Sequence, residues 1–140
     1  MTNRRPKPKL SCSFGYAWEG LCYVVKRERN VRIHLAIALA VLFMGAWLEL
    51  STTEWAIIIM AIALVFAGEM INTAVELTID LVVTDSSALA KGAKDVAAAT
   101  VLITALAAAI MGLLILGPRL WQKMMAMRAQ AHLCLIIPKA

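Results

Sequence analysis

Residues 55–80 read WAIIIMAIALVFAGEMINTAVELTID, a hydrophobic run long enough to cross a bilayer whose second half turns acidic. Trp55 to Gly68 carries no charge, and Glu69, Asn72, Glu76 and Asp80 then follow at spacings of three, four and four. At about 100° per residue a helix gathers these four side chains within roughly 80° of arc, as one polar stripe. An acid at mid-bilayer costs about 2.5–3.5 kcal/mol on insertion scales. Counted from Trp55 at one interface, Glu69 lies roughly 21 Å along the axis at about 1.5 Å per residue. In a hydrocarbon core about 30 Å thick it is the deepest of the acids, and Asp80 lies near the far surface. Asn72 and Thr73 alone would serve as hydrogen-bonding glue between helices. Glu69 and Glu76 together read instead as a functional site.

The rest of the chain agrees with a membrane setting. Of its 140 residues 61% are hydrophobic and 16% charged, with a mean hydropathy of +0.77, which leaves too little polar surface to clothe a soluble globule. The expected class is an all-α polytopic membrane protein with a single membrane domain. Fourteen Lys and Arg against nine acids give a net charge of +5. Arg4, Arg5, Lys7, Lys9, Lys26, Arg27, Arg29 and Arg32 cluster near the start of the chain, which suits an anionic membrane surface. No aromatic-basic motif accompanies them, so nucleic acid is not an expected partner. Cys12, Cys22 and Cys134 follow no metal or redox spacing and read as free thiols. His34 and His132 stand isolated and read as an interfacial and a tail residue rather than ligands. No cleavable signal is expected, because Glu19 interrupts the first apolar stretch and no small-residue cleavage site follows it.

In chain order, 1–10 is a basic N-terminal segment with two prolines and no regular pattern. From Phe14 the periodicity turns helical: Phe14, Trp18, Leu21 and Val25 share one face and Lys26, Arg27 and Arg29 lie off it. Such a helix is expected to lie amphipathically on the membrane surface. Glu28 falls on the apolar side, so either the helix ends there or that face meets something positive. Ile33 to Leu50 is the first span, with Arg32 and Trp47 at its two interfaces. The connection ELSTTE holds acids and no Lys or Arg, which places it outside and the N-terminus in the cytoplasm. The second span then brings its acidic half to the cytoplasmic face. A loop is expected between Leu81 and Asp95, with Asp95 capping the third span, Val96 to Leu116, which Gly117-Pro118 ends. Thr100, Thr104, Ala108 and Gly112 form a ridge of small side chains suited to close helix approach. The membrane domain thus occupies 11–118, and 119–140 is a tail with no assigned role. Its Arg119, Lys123, Arg128 and Lys139 set four basic residues outside against ten inside.

The cytoplasmic boundary then holds Glu28, Glu69, Asn72, Glu76 and Asp80, with Lys94 and Asp95 near. Clustered carboxylates attract a hard divalent ion, and Mg²⁺ is commonly held by one or two carboxylates plus substrate phosphates. Lys94 is a point charge for a phosphate, and a deep, dry glutamate suits proton abstraction from a hydroxyl. No Walker loop or kinase Gly-rich loop occurs among the seven glycines. These residues by themselves are compatible with catalysis and with ion or proton transport.

The segments GYAWEGL (15–21), RERNVRIH (27–34), GEMINTAVELTID (68–80) and AKGAKDVAAA (90–99) resemble the prokaryotic diacylglycerol kinase family, which includes undecaprenol kinases. The resemblance covers about residues 14 to 118 and implies a homotrimeric inner-membrane enzyme that uses Mg-ATP to phosphorylate a lipid hydroxyl. By resemblance Glu69 matches the catalytic base, with Asn72 beside it in the site. Glu28 and Glu76 match metal ligands that also meet ATP. Tyr16, Asp85, Lys94 and Asp95 match positions that contact ATP, Asp80 matches a further polar residue of the site, and Trp18 and Trp47 match aromatic positions near lipid. Ala97-Ala98 stands where diacylglycerol-specific members carry Gly-Ser, and nothing in the family matches the tail from Trp121 onward. RERNVRIH is closer to the undecaprenol-using branch. The competing readings are a small proton- or cation-coupled transporter and a structural subunit whose acids meet a partner's basic residues.

Overall fold

The computed structural model describes residues 10–83 and 87–136, with side chains over 12–83 and 87–130. Among these residues the chain forms helices α1 (Leu10–Arg27), α2 (Arg29–Trp47), α3 (Thr52–Val82) and α4 (Ala88–Ile136). The last three are long and apolar enough to cross a membrane, as the sequence leads one to expect. The chain is all-helical, with α3 and α4 sharing the longest packed surface.

The turn between α2 and α3 is the most tightly built part. Gly45 is required there, since a Cβ would stand 2.9 Å from Leu50 Cδ1 and 3.0 Å from Trp55 Cη2. Glu49 turns the chain in the left-handed region, at φ 59°. The Ser51 hydroxyl accepts the Glu54 N–H at 3.4 Å and Glu54 Oε2 accepts the Ser51 N–H at 2.7 Å, a capping box that starts α3. Leu48, Leu50 and Ile58 are buried beneath it, with Trp55, Ile115 and Leu120 packed around them.

Helix α4 does not end at Gly117-Pro118 as the sequence reading expects; Pro118 lies inside it. A proline removes one helical hydrogen bond, but the flanking residues are held from both sides. Leu116 and Leu120 pack on the apolar cluster. Arg119 donates to Glu54 Oε1 at 2.9 Å through Nε and to Oε2 at 2.7 Å through Nη2, a bidentate pair. Lys123 donates to the Trp47 carbonyl and to Glu49 Oε1 at 3.2 Å, and stands over the Trp47 ring. Two of the tail's basic residues are thus matched by the two acids of the α2–α3 turn.

The other end differs from expectation as well. Helix α3 runs on to Val82 and α4 begins at Ala88, where Ser87 Oγ accepts the Ala90 N–H at 3.1 Å. Asp95 is therefore two turns inside α4 and exposed, not its cap. Ser87 takes the role because its short side chain returns to the first free N–H groups.

Helices α3 and α4 approach closely at Gly68, whose Cβ would fall 2.9 Å from Thr104 Oγ1 and 3.7 Å from Val101 Cα. Of the small-residue ridge, Thr104 makes this approach. Ala108 and Gly112 instead line an apolar cleft of about 580 Å³ among α2, α3 and α4, together with Ala38, Val41 and Val65. Substitution Gly68→Val is expected to lower stability by about 1–3 kcal/mol through overpacking, read as a lower unfolding midpoint in detergent micelles. Gly92→Val, where a Cβ meets nothing within 4 Å, should move the midpoint much less; equal effects would contradict the close approach.

Candidate functional site

Glu69 is 3% exposed, and with Thr73 it forms the buried polar heart of α3. Thr73 is satisfied locally, its hydroxyl donating to the Glu69 carbonyl at 3.0 Å. The Glu69 carboxylate is not: Oε1 is buried with no hydrogen-bond partner. The nearest cationic or neutral donor is His34, whose Nε2 stands 3.3 Å from that oxygen without the alignment of a hydrogen bond. One turn on, Asn72 Nδ2 donates to Glu76 Oε1 at 2.9 Å, and Asn72 Oδ1 is likewise buried and unpartnered. A pocket of about 440 Å³ opens over this group, lined by Asn30, Ile33, His34, Glu69, Asn72 and Ala98 among others.

Glu28 resolves the alternative left open by the sequence. Helix α1 ends at Arg27, and Glu28 is extended at φ −94° and ψ 122°, immediately before α2. Its carboxylate lies 3.2 Å from Arg27 Nε. The misplaced acid is thus the hinge between α1 and α2.

Asp80 and Lys94 are brought together across the α3–α4 connection, 2.6 Å apart and both partly exposed. Tyr16 and Trp18 on α1 and Asp95 on α4 are exposed. Trp47 lies at the opposite end of α2, beside Lys123. Asp85 lies outside the described residues. Of the Ala97-Ala98 pair, Ala97 is buried and Ala98 lines the polar pocket.

Glu69, Asn72 and Glu76 follow one another along α3 and offer hard oxygens, with Asn72 bonded to Glu76, while Glu28 stands just before α2. Among the described residues no three Asp, Glu, His or Cys side chains converge on one point as a complete cage. Carboxylate and amide oxygens are the donor chemistry that Mg²⁺ takes together with phosphate oxygens.

A profile for prokaryotic diacylglycerol kinase matches residues 15–116, which contain this whole site. The chain belongs to the prokaryotic diacylglycerol kinase family. An undecaprenol kinase of Bacillus subtilis is 44% identical over 108 residues, 77% of this chain and 88% of that protein. A diacylglycerol kinase of Synechocystis is 42% identical over 114 residues, covering 81% of this chain and 65% of that protein. The diacylglycerol kinase of Escherichia coli is 29% identical over 96 residues, 69% of this chain and 79% of that protein. In this family member the tail beyond 116 lies outside the matched region, although its helix is continuous with the membrane domain.

His34 is the residue that sequence reasoning missed. Its signal is the inward stripe of α2, where Val31, His34, Ala38, Val41 and Gly45 recur at spacings of three and four and are each buried or half-buried. A histidine in that register faces the protein, not the interface. The Asp80–Lys94 pair, being partly exposed, should contribute less than about 1 kcal/mol to stability. Asp80→Asn is accordingly expected to leave the unfolding midpoint in micelles within a few degrees of wild type, and a large drop would show that the pair holds α3 and α4 together.

Proposed function

We propose that this chain is an integral-membrane lipid kinase that transfers the γ-phosphate of ATP to a membrane lipid hydroxyl, with undecaprenol favoured over diacylglycerol. The observation that carries the reading is the Glu69 carboxylate, buried in a bilayer-length helix with an oxygen left unpaired beside a polar pocket, in a chain of this family. The undecaprenol preference is supported by RERNVRIH at 27–34 and by alanine at 97 and 98.

In this reading Glu69 accepts the proton of the lipid hydroxyl, whose oxygen attacks the γ-phosphorus in line as ADP departs. Positioning and charge neutralisation supply the rate. Glu28 and Glu76 would hold Mg²⁺, which when bound neutralises charge on the phosphates; Asn72, bonded to Glu76, restrains that carboxylate. Lys94 faces the phosphates in exchange for Asp80. Tyr16, Asp85 and Asp95 complete the nucleotide contacts, with Trp18 and Trp47 on the lipid side. The chain's incomplete ligand set supports a homotrimer in which neighbouring subunits share sites. The charge asymmetry supports an inner-membrane protein with the N-terminus, α1 and the site on the cytoplasmic face.

The test is γ-labelled ATP and purified protein in detergent micelles, offered undecaprenol and diacylglycerol side by side. Labelled lipid phosphate is expected from both, faster from undecaprenol. Glu69→Gln should keep expression and assembly while lowering turnover by at least about 10²-fold, the scale of a general base. Wild-type turnover in that variant would remove Glu69 from the role, and ATP-independent ion flux in sealed vesicles without lipid phosphorylation would favour a transporter.

A further inference from the structure

Helix α2 presents one stripe to the protein, and every member of it except His34 is apolar or glycine. Val31 is 1% exposed and Ala38 7%; His34 sits between them. A polar ring at such a place is destabilising unless it meets a partner. The group in front of it is Glu69, whose Oε1 is fully buried and unpaired, 3.3 Å from Nε2. The unpaired Glu69 oxygen and the His34 ring, itself 24% exposed, therefore face one another across α2 and α3. His34 also borders both cavities, the apolar cleft running toward Leu120 and the polar pocket holding Asn72.

We propose that His34 is the positioning residue of Glu69: its Nε2–H bonds Oε1 once the lipid is seated and fixes the carboxylate so that its other oxygen meets the hydroxyl. This rests on the reading of Glu69 as the proton acceptor. A carboxylate on a flexible side chain has two free torsions beyond χ1. One donor from a neighbouring helix removes that freedom. The donor also stays with the acid throughout the reaction: when the hydroxyl proton bonds to the second oxygen, Oε1 becomes the carbonyl oxygen of a neutral acid and still accepts from Nε2. No proton has to pass to the ring.

The amide nitrogen of glutamine falls where Nε2 of histidine lies, whereas asparagine's falls short and leucine has no donor. His34→Leu should slow kcat roughly 10- to 100-fold, the scale of a misplaced catalytic group, with the KM for ATP unchanged. His34→Gln should return kcat to within about threefold of wild type, while His34→Asn should stay slow, as expected for a single lost donor. In a Glu69→Gln background His34→Leu should cost nothing further, since residues that act as a unit are not additive. Leucine suits the apolar stripe, so the unfolding midpoint of His34→Leu should not fall and gives the check on folding. Wild-type kcat in His34→Leu with an inactive Glu69→Gln overturns this inference alone, as does a His34→Gln variant no faster than His34→Leu. Wild-type activity in Glu69→Gln overturns the reading of Glu69 itself.

Discussion

The structure is arranged around the free energy of one carboxylate. Placing Glu69 inside a helix that crosses a bilayer costs several kcal/mol unless neighbours compensate, and its surroundings divide that burden. Thr73 satisfies its own hydroxyl on the helix backbone and so makes no demand on the acid. Gly68, immediately before Glu69, lets α4 come close enough for Thr104 to seal the far side. What remains is an acid with an oxygen unpaired, facing a pocket and a histidine. A purely structural carboxylate would be expected to find its hydrogen bonds within the fold; this one has kept a valence free.

The two ends of the helices are built differently. At the α2–α3 turn a buried apolar cluster, a capping box and a bidentate arginine hold α2, α3 and α4 together. At the other end the contacts are polar and partly exposed: Arg27 with Glu28, and Asp80 with Lys94. Exposed pairs of this kind contribute little to stability. An end packed on apolar side chains fixes the helices relative to one another, which the placement of a reactive group requires.

Much of this was legible in the residues themselves. The spans follow from apolar run length, and the acidic stripe follows from the three- and four-residue spacings between Glu69 and Asp80. Pro118 misled because local propensity favours a helix end there, whereas packing of Leu116 and Leu120 and the Glu54–Arg119 pair override it; those partners are 65 residues apart in sequence. Asp95 misled because cap chemistry is shared by Ser87, which is the residue at the helix start. His34 was hidden for a different cause: it closes the RERNVRIH segment without a role of its own there, and its place appears only when the α2 stripe is phased against α3.

The most direct test of the account is a structure of the protein in lipid with a non-hydrolysable ATP analogue and undecaprenol bound. The account predicts the lipid hydroxyl within about 2.6–3.2 Å of a Glu69 carboxylate oxygen, the reach needed for proton transfer, with the γ-phosphate on the far side of that hydroxyl. A hydroxyl seated against another acid, with Glu69 still enclosed by protein, would contradict it.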